Sequence, residues 1–323
     1  MAGTFALGGC AFYPQDLSKT PAAGSIPRLD LKDGPIVKKS DKELEVRCKP
    51  CVEAPDVTTV KYDLLHWTVA KMVYFRVYGK HSDEWVFLDT GLPEFARVTT
   101  DVVAARKLPS ALDIKPPLTL VDELRISEKV RFSDFPAIIE HVRWQFRVFG
   151  IIPIWQQRGW ILGTSFLKSF NYLAFDNRKQ TVTFGGGSAS FNPSDPEAWV
   201  SYPLAIDDNG HTVTTMPVCG VTTRVLADSG GGPDLSVDRT EWPNLSRRLH
   251  VLSRRSEKRP TWGDFVDVDI YEVENLQVGV VRKKRATIMV SDQQGMPVVA
   301  GLGVFRDTAV VFDFQKNKLW VRK

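Results

Sequence analysis

Cysteine is scarce, four residues among 323 at Cys10, Cys48, Cys51 and Cys219, which excludes a disulfide scaffold as the source of stability. Cys48 and Cys51 form a lone Cys-x-x-Cys without the second pair or matched histidines that zinc needs. An oxidised local pair or two free thiols remain open for them. Cys219, before Gly220 in an apolar run, reads as a small core residue. The five histidines, His66, His81, His141, His211 and His250, show no His-x-x-x-His or His-Glu-x-x-His spacing. No metal and no other cofactor is therefore expected. Charge of one sign is lacking too. Forty-two basic against 38 acidic residues leave a net +4, which gives no reason to expect a nucleic-acid partner. The basic runs at 247–259 and 282–285 read as solvated faces. No apolar run approaches the eighteen or so residues of a membrane span. Neither Gly185-Gly186-Gly187 nor Gly230-Gly231-Gly232 is followed by the Lys-Ser/Thr of a phosphate loop.

What the chain does contain is period-two alternation, as in Val73-Tyr74-Phe75-Arg76-Val77-Tyr78 and Val266-Asp267-Val268-Asp269-Ile270, with 43% apolar residues overall. This predicts a mainly β protein with enough length for two lobes. The two halves also repeat one another. A hairpin, roughly Lys71–Gly79 and Glu84–Leu88, ends in Phe87-Leu88-Asp89-Thr90-Gly91. A second, Thr212–Val218 and Thr223–Ala227, ends in Val225-Leu226-Ala227-Asp228-Ser229-Gly230. The first half continues with Trp160-Ile161-Leu162-Gly163 and Leu173-Ala174-Phe175-Asp176. The second answers with Val299-Ala300-Gly301 and Val310-Val311-Phe312-Asp313. Asp89 precedes Gly163 by 74 residues and Asp228 precedes Gly301 by 73; the distances to Asp176 and Asp313 are 87 and 85. A lone Asp-Thr-Gly is most often a tight turn, but agreement of three landmarks within two residues points to a duplication. Gly303 offers a competing alignment for the second glycine.

On these residues the chain resembles the retropepsin and pepsin-like aspartic peptidases, most of all the tandem retropepsin-like proteins of bacteria. The resemblance covers about residues 60–185 and 198–323. It implies an all-β, bilobal acid-protease fold of two pseudo-symmetric lobes with short helices. A first lobe over 56–187, a linker over 188–197 and a second lobe over 198–323 would follow an N-terminal lipobox-like segment, 1–55, which, with a lipid on Cys10, would serve as a tether and an entry strand. It further implies that Asp89 and Asp228 form a catalytic pair, that Thr90 and Ser229 brace the two turns, and that Gly91 and Gly230 let the backbone pass close. Asp176 and Asp313 would be structural. Two carboxylates about 3 Å apart cannot both ionise comfortably, so one proton is shared. The ionised partner then activates a water while the protonated one donates to the substrate carbonyl.

The expected function is thus an aspartic endopeptidase acting on a peptide or protein substrate. The competing expectation is a catalytically silent binding or scaffolding module with the same fold. Departures from the family pattern are Leu92-Pro93 after the first turn, Gly231-Gly232-Pro233 after the second, and a stretch from Val98 to Pro136 without a tyrosine or a glycine-tipped hairpin to serve as a flap. The second lobe carries an insertion near Ser253–Val273 with Trp262-Gly263-Asp264. Leu7-Gly8-Gly9-Cys10 resembles the lipobox of bacterial lipoproteins, although residues 1–9 lack the charged start and full apolar stretch of a signal peptide. A lipid on Cys10 would place the protein at the cell envelope or periplasm; the alternative is the cytoplasm.

Overall fold

The computed structural model describes residues 10–17, 26–31, 36–40, 43–46, 51–66, 71–148, 152–156, 159–231, 233–260, 265–292 and 298–323. The lipobox residues before Cys10, Cys48, Gly232 and the Trp262-Gly263-Asp264 tip lie outside them. The N-terminal segment contributes β1 (Cys10–Asp16), β2 (Ile36–Ser40), β3 (Glu43–Val46) and β4 (Cys51–Glu53), followed by β5 (Val57–Lys61). The first lobe consists of β6 (Asp63–His66), β7 (Lys71–Arg76), β8 (Trp85–Asp89), β9 (Ala96–Thr99), α1 (Thr100–Arg106), β10 (Ser110–Ala111), β11 (Leu118–Arg125), β12 (Arg131–Glu140), β13 (Val142–Val148), β14 (Ile152–Gln156), β15 (Gly159–Gly163) and α2 (Thr164–Leu167). Between the lobes run β16 (Tyr172–Asp176) and β17 (Thr181–Gly185). The second lobe holds β18 (Trp199–Ile206), β19 (Thr212–Val218), β20 (Val221–Asp228), β21 (Leu235–Asp238), α3 (Trp242–Ser246), β22 (His250–Pro260), β23 (Phe265–Val278), β24 (Val281–Ser291), β25 (Val298–Gly301), β26 (Ala309–Asp313) and β27 (Lys318–Arg322).

The internal repeat is visible in the strand order. One sheet runs β10-β11-β12-β9-β15-β8-β7-β6, and the other contains β22-β23-β24-β21-β25-β20-β19-β18, the same path with every strand replaced by its counterpart. In each lobe the strand bearing the aspartate runs parallel to the strand ending in glycine, with Asp89 opposite Gly163 and Asp228 opposite Gly301. The second-lobe alignment therefore falls on Gly301 and not on Gly303. In each lobe, too, the glycine strand is inserted between two neighbours, parallel to one and antiparallel to the other. Packed on both faces, with Trp160 and Leu162 in the main core and Ile161 against Tyr74, Phe87 and Leu92, β15 is buried throughout. Its apolar run, without alternation, reflects that position.

A six-strand path joins the lobes, β5-β17-β16-β26-β27-β18, centred on the antiparallel pair β16 and β26. Phe175 and Phe312 meet edge-on there, ring centroids 5.8 Å apart and both buried, each burial contributing about 1.5–3 kcal/mol. Asp313 accepts from the Lys316 amide at 2.9 Å and from Trp320 Nε1 at 3.2 Å; Asp176 accepts from the Lys179 amide at 3.2 Å. The main core runs continuously through both lobes. The fold is an all-β, bilobal, aspartic-protease-like one.

Two features differ from the sequence reading. Within residues 1–55, β1, β4 and the stretch around Leu29 are docked on the first lobe, while β2 and β3 pair with each other as a separate two-stranded sheet. β1 pairs with β13 from Cys10 opposite Val148 to Asp16 opposite Val142, and β4 pairs with β12. Leu17 and Leu29 are buried, and the Leu29 amide donates to the Ser110 carbonyl at 2.8 Å. Cys219 is not within a strand. It forms with Gly220 the two-residue turn between β19 and β20, at φ of 50° and 81°, values such a hairpin turn demands. Its half-buried thiol is pushed up by desolvation, whereas Cys51 is a free, exposed thiol.

The hairpin slot that is minimal in the first lobe, where β10 and β11 share two residue pairs, is filled in the second by the long β22–β23 hairpin. Its buried Asp269 accepts from Ser256, Arg239 and Arg254, and these donors hold its carboxyl down at about 2. A depressed carboxyl adds stability above its unfolded value near 3.9 and loses it as pH falls through the folded value. Asp269→Asn is accordingly expected to lower the melting temperature near neutral pH, with the deficit closing between about pH 4 and 2. Thermal melts of both proteins across that window check it.

Candidate active site

The Asp-Thr-Gly and Asp-Ser-Gly turns close on each other at the lobe boundary through four reciprocal hydrogen bonds. The Thr90 amide donates to Ser229 Oγ at 3.0 Å, and the Ser229 amide donates to Thr90 Oγ1 at 2.9 Å. Thr90 Oγ1 donates to the Ala227 carbonyl and Ser229 Oγ to the Leu88 carbonyl, both at 2.7 Å. Each hydroxyl accepts one amide and gives its proton to one carbonyl, always across the lobe boundary. Both side chains are buried, so each lobe would leave polar groups unpaired without the other.

This interlock brings the carboxyl groups of Asp89 and Asp228 into a shared hydrogen bond. Asp89 Oδ1 accepts from the amides of Gly91 at 2.8 Å and Leu92 at 3.0 Å; Asp228 Oδ1 accepts from Gly230 at 2.7 Å. The glycines are required by the crossing. A Cβ on Gly91 would stand 2.8 Å from Asp228 Cγ, and one on Gly230 would stand 2.5 Å from Asp89 Cγ. Each carboxyl group thus lies against the glycine of the opposite lobe. Desolvation raises both aspartates above the ordinary carboxylate range, and the charge of Asp228 pushes Asp89 further, well above it. The backbone amides oppose the shift without cancelling it. The pair titrates as a unit, sharing a proton over the range in which isolated aspartates have lost theirs.

Behind the turns, Thr164 Oγ1 donates to the Thr90 carbonyl at 2.8 Å and lies 3.1 Å from Thr212 Oγ1. Alternation along β8 sends Val86 and Leu88 into the main core and Trp85, Phe87 and Asp89 to the opposite face. Phe87, opposite Ile161 in register, packs there with Tyr74 and Leu92. An apolar wall thus adjoins the carboxyl pair on the first-lobe side.

Three charged residues on this same face carry no motif and escaped the sequence reading. Arg97, in register with Ile161 on one side and Ile138 on the other, is held by Glu94 at 2.8 Å and Glu140 at 2.9 Å. They line a pocket of about 430 Å³ with Pro116, Pro117, Ile138, Ile139 and His141. Only the parallel pairing of β9 with β12 brings Glu140 to Arg97. Cys10 begins β1, in a sheet separate from the two that carry the aspartates.

A two-lobed, aspartic-protease-like fold with one carboxyl group from each lobe at their boundary is what these strands and turns define. No protein-family model and no curated protein matches the chain. Among solved structures it is similar to basic 7S globulin from soybean, with a TM-score of 0.46, 8% identity and coverage of 83% of this chain and 94% of that one. Similar too are conglutin gamma, a basic 7S globulin from lupine seeds (TM-score 0.44, 9% identity, 83% and 95% coverage), and a retropepsin-like aspartic protease from Rickettsia conorii (TM-score 0.29, 14% identity, 38% and 90% coverage).

Proposed function

We propose that the protein is an aspartic endopeptidase in which the Asp89–Asp228 pair activates a water against a peptide carbonyl. The observation that carries this reading is the reciprocal locking of two symmetric turns around two carboxyl groups that share one hydrogen bond. A scaffold gains nothing from pressing two acids together. In the reaction, water held between the carboxyl groups attacks the carbonyl carbon and gives a proton to the ionised partner. The protonated partner simultaneously gives its proton to the carbonyl oxygen, forming a gem-diol. Proton transfer to the amide nitrogen and cleavage of the C–N bond then release a carboxylic acid and an amine, returning the pair to one shared proton. The apolar wall of Phe87, Ile161 and Leu92 is the surface on which a substrate side chain beside the scissile bond would pack.

A statine-type peptide, whose hydroxyl imitates the gem-diol, should bind the wild type and lose affinity by about a hundredfold in Asp89→Asn. Equal binding by the two proteins would count against the reading. Attachment to a membrane through a lipid on Cys10, and with it an envelope location, belongs to the same proposal and is supported by Leu7-Gly8-Gly9-Cys10 alone. Mass spectrometry of the protein recovered from membranes tests it.

The raised carboxyl pair also has a consequence for stability. A carboxyl whose folded value lies above its unfolded one adds stability below the unfolded value near 3.9 and loses it as pH rises through the folded value. Near pH 7 the pair is therefore a burden on the fold. Asp89→Asn removes one of the two acids while keeping a hydrogen-bonding side chain. Its melting temperature should exceed the wild type's by a few degrees near pH 7, with the advantage vanishing toward about pH 3.

A further inference from the structure

We propose that the pocket lined by Glu94, Arg97 and Glu140 is a subsite for a lysine or arginine side chain of an extended peptide bound in the cleft. Its position relative to the scissile bond rests on the peptidase reading; its chemistry rests on the pocket itself. In-register pairing puts Phe87, Ile161, Arg97 and Ile138 in one row on the face that bears Asp89. Arg97 stands two strands along from β8, about 10 Å at the ordinary strand spacing. An extended peptide covers that in about three residues. The walls supplied by Pro116, Pro117 and Ile138 suit the methylene stem of a long side chain.

The head group meets two carboxylates. Among the described residues, Glu94 and Glu140 share the one guanidinium of Arg97, two carboxylates set against a single cation. Glu140 is about one-fifth exposed and Glu94 one-third, which shields their attraction from solvent more than on an open face. The two lobes differ sharply here. The sheet register places Ser236 where the first lobe has Arg97 and Ser291 where it has Glu140, and Pro233 follows the second turn as Glu94 follows the first. Selection for a basic side chain thus belongs to one side of the scissile bond only.

The test separates binding from cleavage by using the full chain with Asp89→Asn to select from a random decapeptide library at about pH 7, where carboxylates are ionised. Lysine and arginine should be enriched at one position. A synthetic peptide of the selected sequence should bind about fivefold more tightly than its norleucine counterpart. Adding Glu94→Gln and Glu140→Gln removes both carboxylates from beside Arg97, and the preference should reverse toward aspartate and glutamate. If that variant does not fold, Glu140→Gln alone balances Arg97 against Glu94 and should bring the lysine and norleucine peptides within about twofold of each other. Selected peptides without a basic position, a basic preference unchanged in the glutamine variants, or no peptide retained would each overturn the subsite. A wild type that cuts nothing while Asp89→Asn collects basic peptides would instead remove the peptidase reading and leave the subsite standing.

Discussion

Asp228→Asn is expected to abolish every cut that the wild type makes in an unbiased peptide mixture between pH 3 and 8, a loss of about a thousandfold or more. The substitution is nearly isosteric. The amide oxygen of the new side chain would still accept from the Gly230 amide, as Asp228 Oδ1 does at 2.7 Å, and the Thr90–Ser229 interlock does not involve the carboxyl group. The fold should survive, so lost activity reports chemistry. What disappears is the group that can hold or release a proton, and one remaining carboxyl group cannot take a proton from water and give one to the carbonyl oxygen in the same step. Asp89→Asn should be equally silent, and the double variant no worse, because the residues act as one unit. Cuts that persist unchanged in Asp228→Asn would sink the mechanism. A wild type that makes no cut at any pH would favour the silent binding module, and retained peptides would then identify its partner.

The carboxyl pair was legible in the sequence because everything that defines it is local. An apolar strand, an aspartate, a small hydroxyl residue and a glycine stand in succession, and the duplication sets two such runs 139 residues apart. The all-β, two-lobed architecture followed from alternation and from the repeat. Choosing Gly301 over Gly303 needed the register of a parallel pair, which no local pattern encodes. The Glu94–Arg97–Glu140 pocket was invisible for the same reason. Its members come from a turn and two strands, and glutamates and arginines at such intervals in a β sequence ordinarily mark solvated edges. Cys219 was misplaced because an apolar residue before glycine suits both a strand end and a hairpin turn. The docking of β1 and β4 was missed because a segment with prolines, glycines and lysines has a linker's composition whether or not its backbone pairs.

Glu84 was also passed over, and its removal is expected to have the largest effect on stability of any single change discussed. The residue introduces β8 and is buried, yet it carries a carboxylate. Arg106 Nε donates to both of its oxygens at 3.2 and 3.0 Å, and Trp160 Nε1 donates to Oε2 at 2.8 Å. The guanidinium also lies over the Trp160 ring at 5.0 Å. Glu84→Ala strands a buried cation and a buried indole N–H together. Removing one partner of a buried ion pair costs about 3–5 kcal/mol, which denaturant unfolding should read as a lower midpoint at unchanged slope. Adding Arg106→Met should restore a large part of the loss, since the stranded charge, more than the missing attraction, dominates the penalty. The effect should extend to the cleft. Trp160 sits in the strand that ends at Gly163, and Gly163 pairs with Asp89, so the ion pair anchors the strand that supports one half of the carboxyl pair. In Glu84→Ala, peptide cleavage should therefore fail at a lower temperature than in the wild type, and recover together with stability in the double variant.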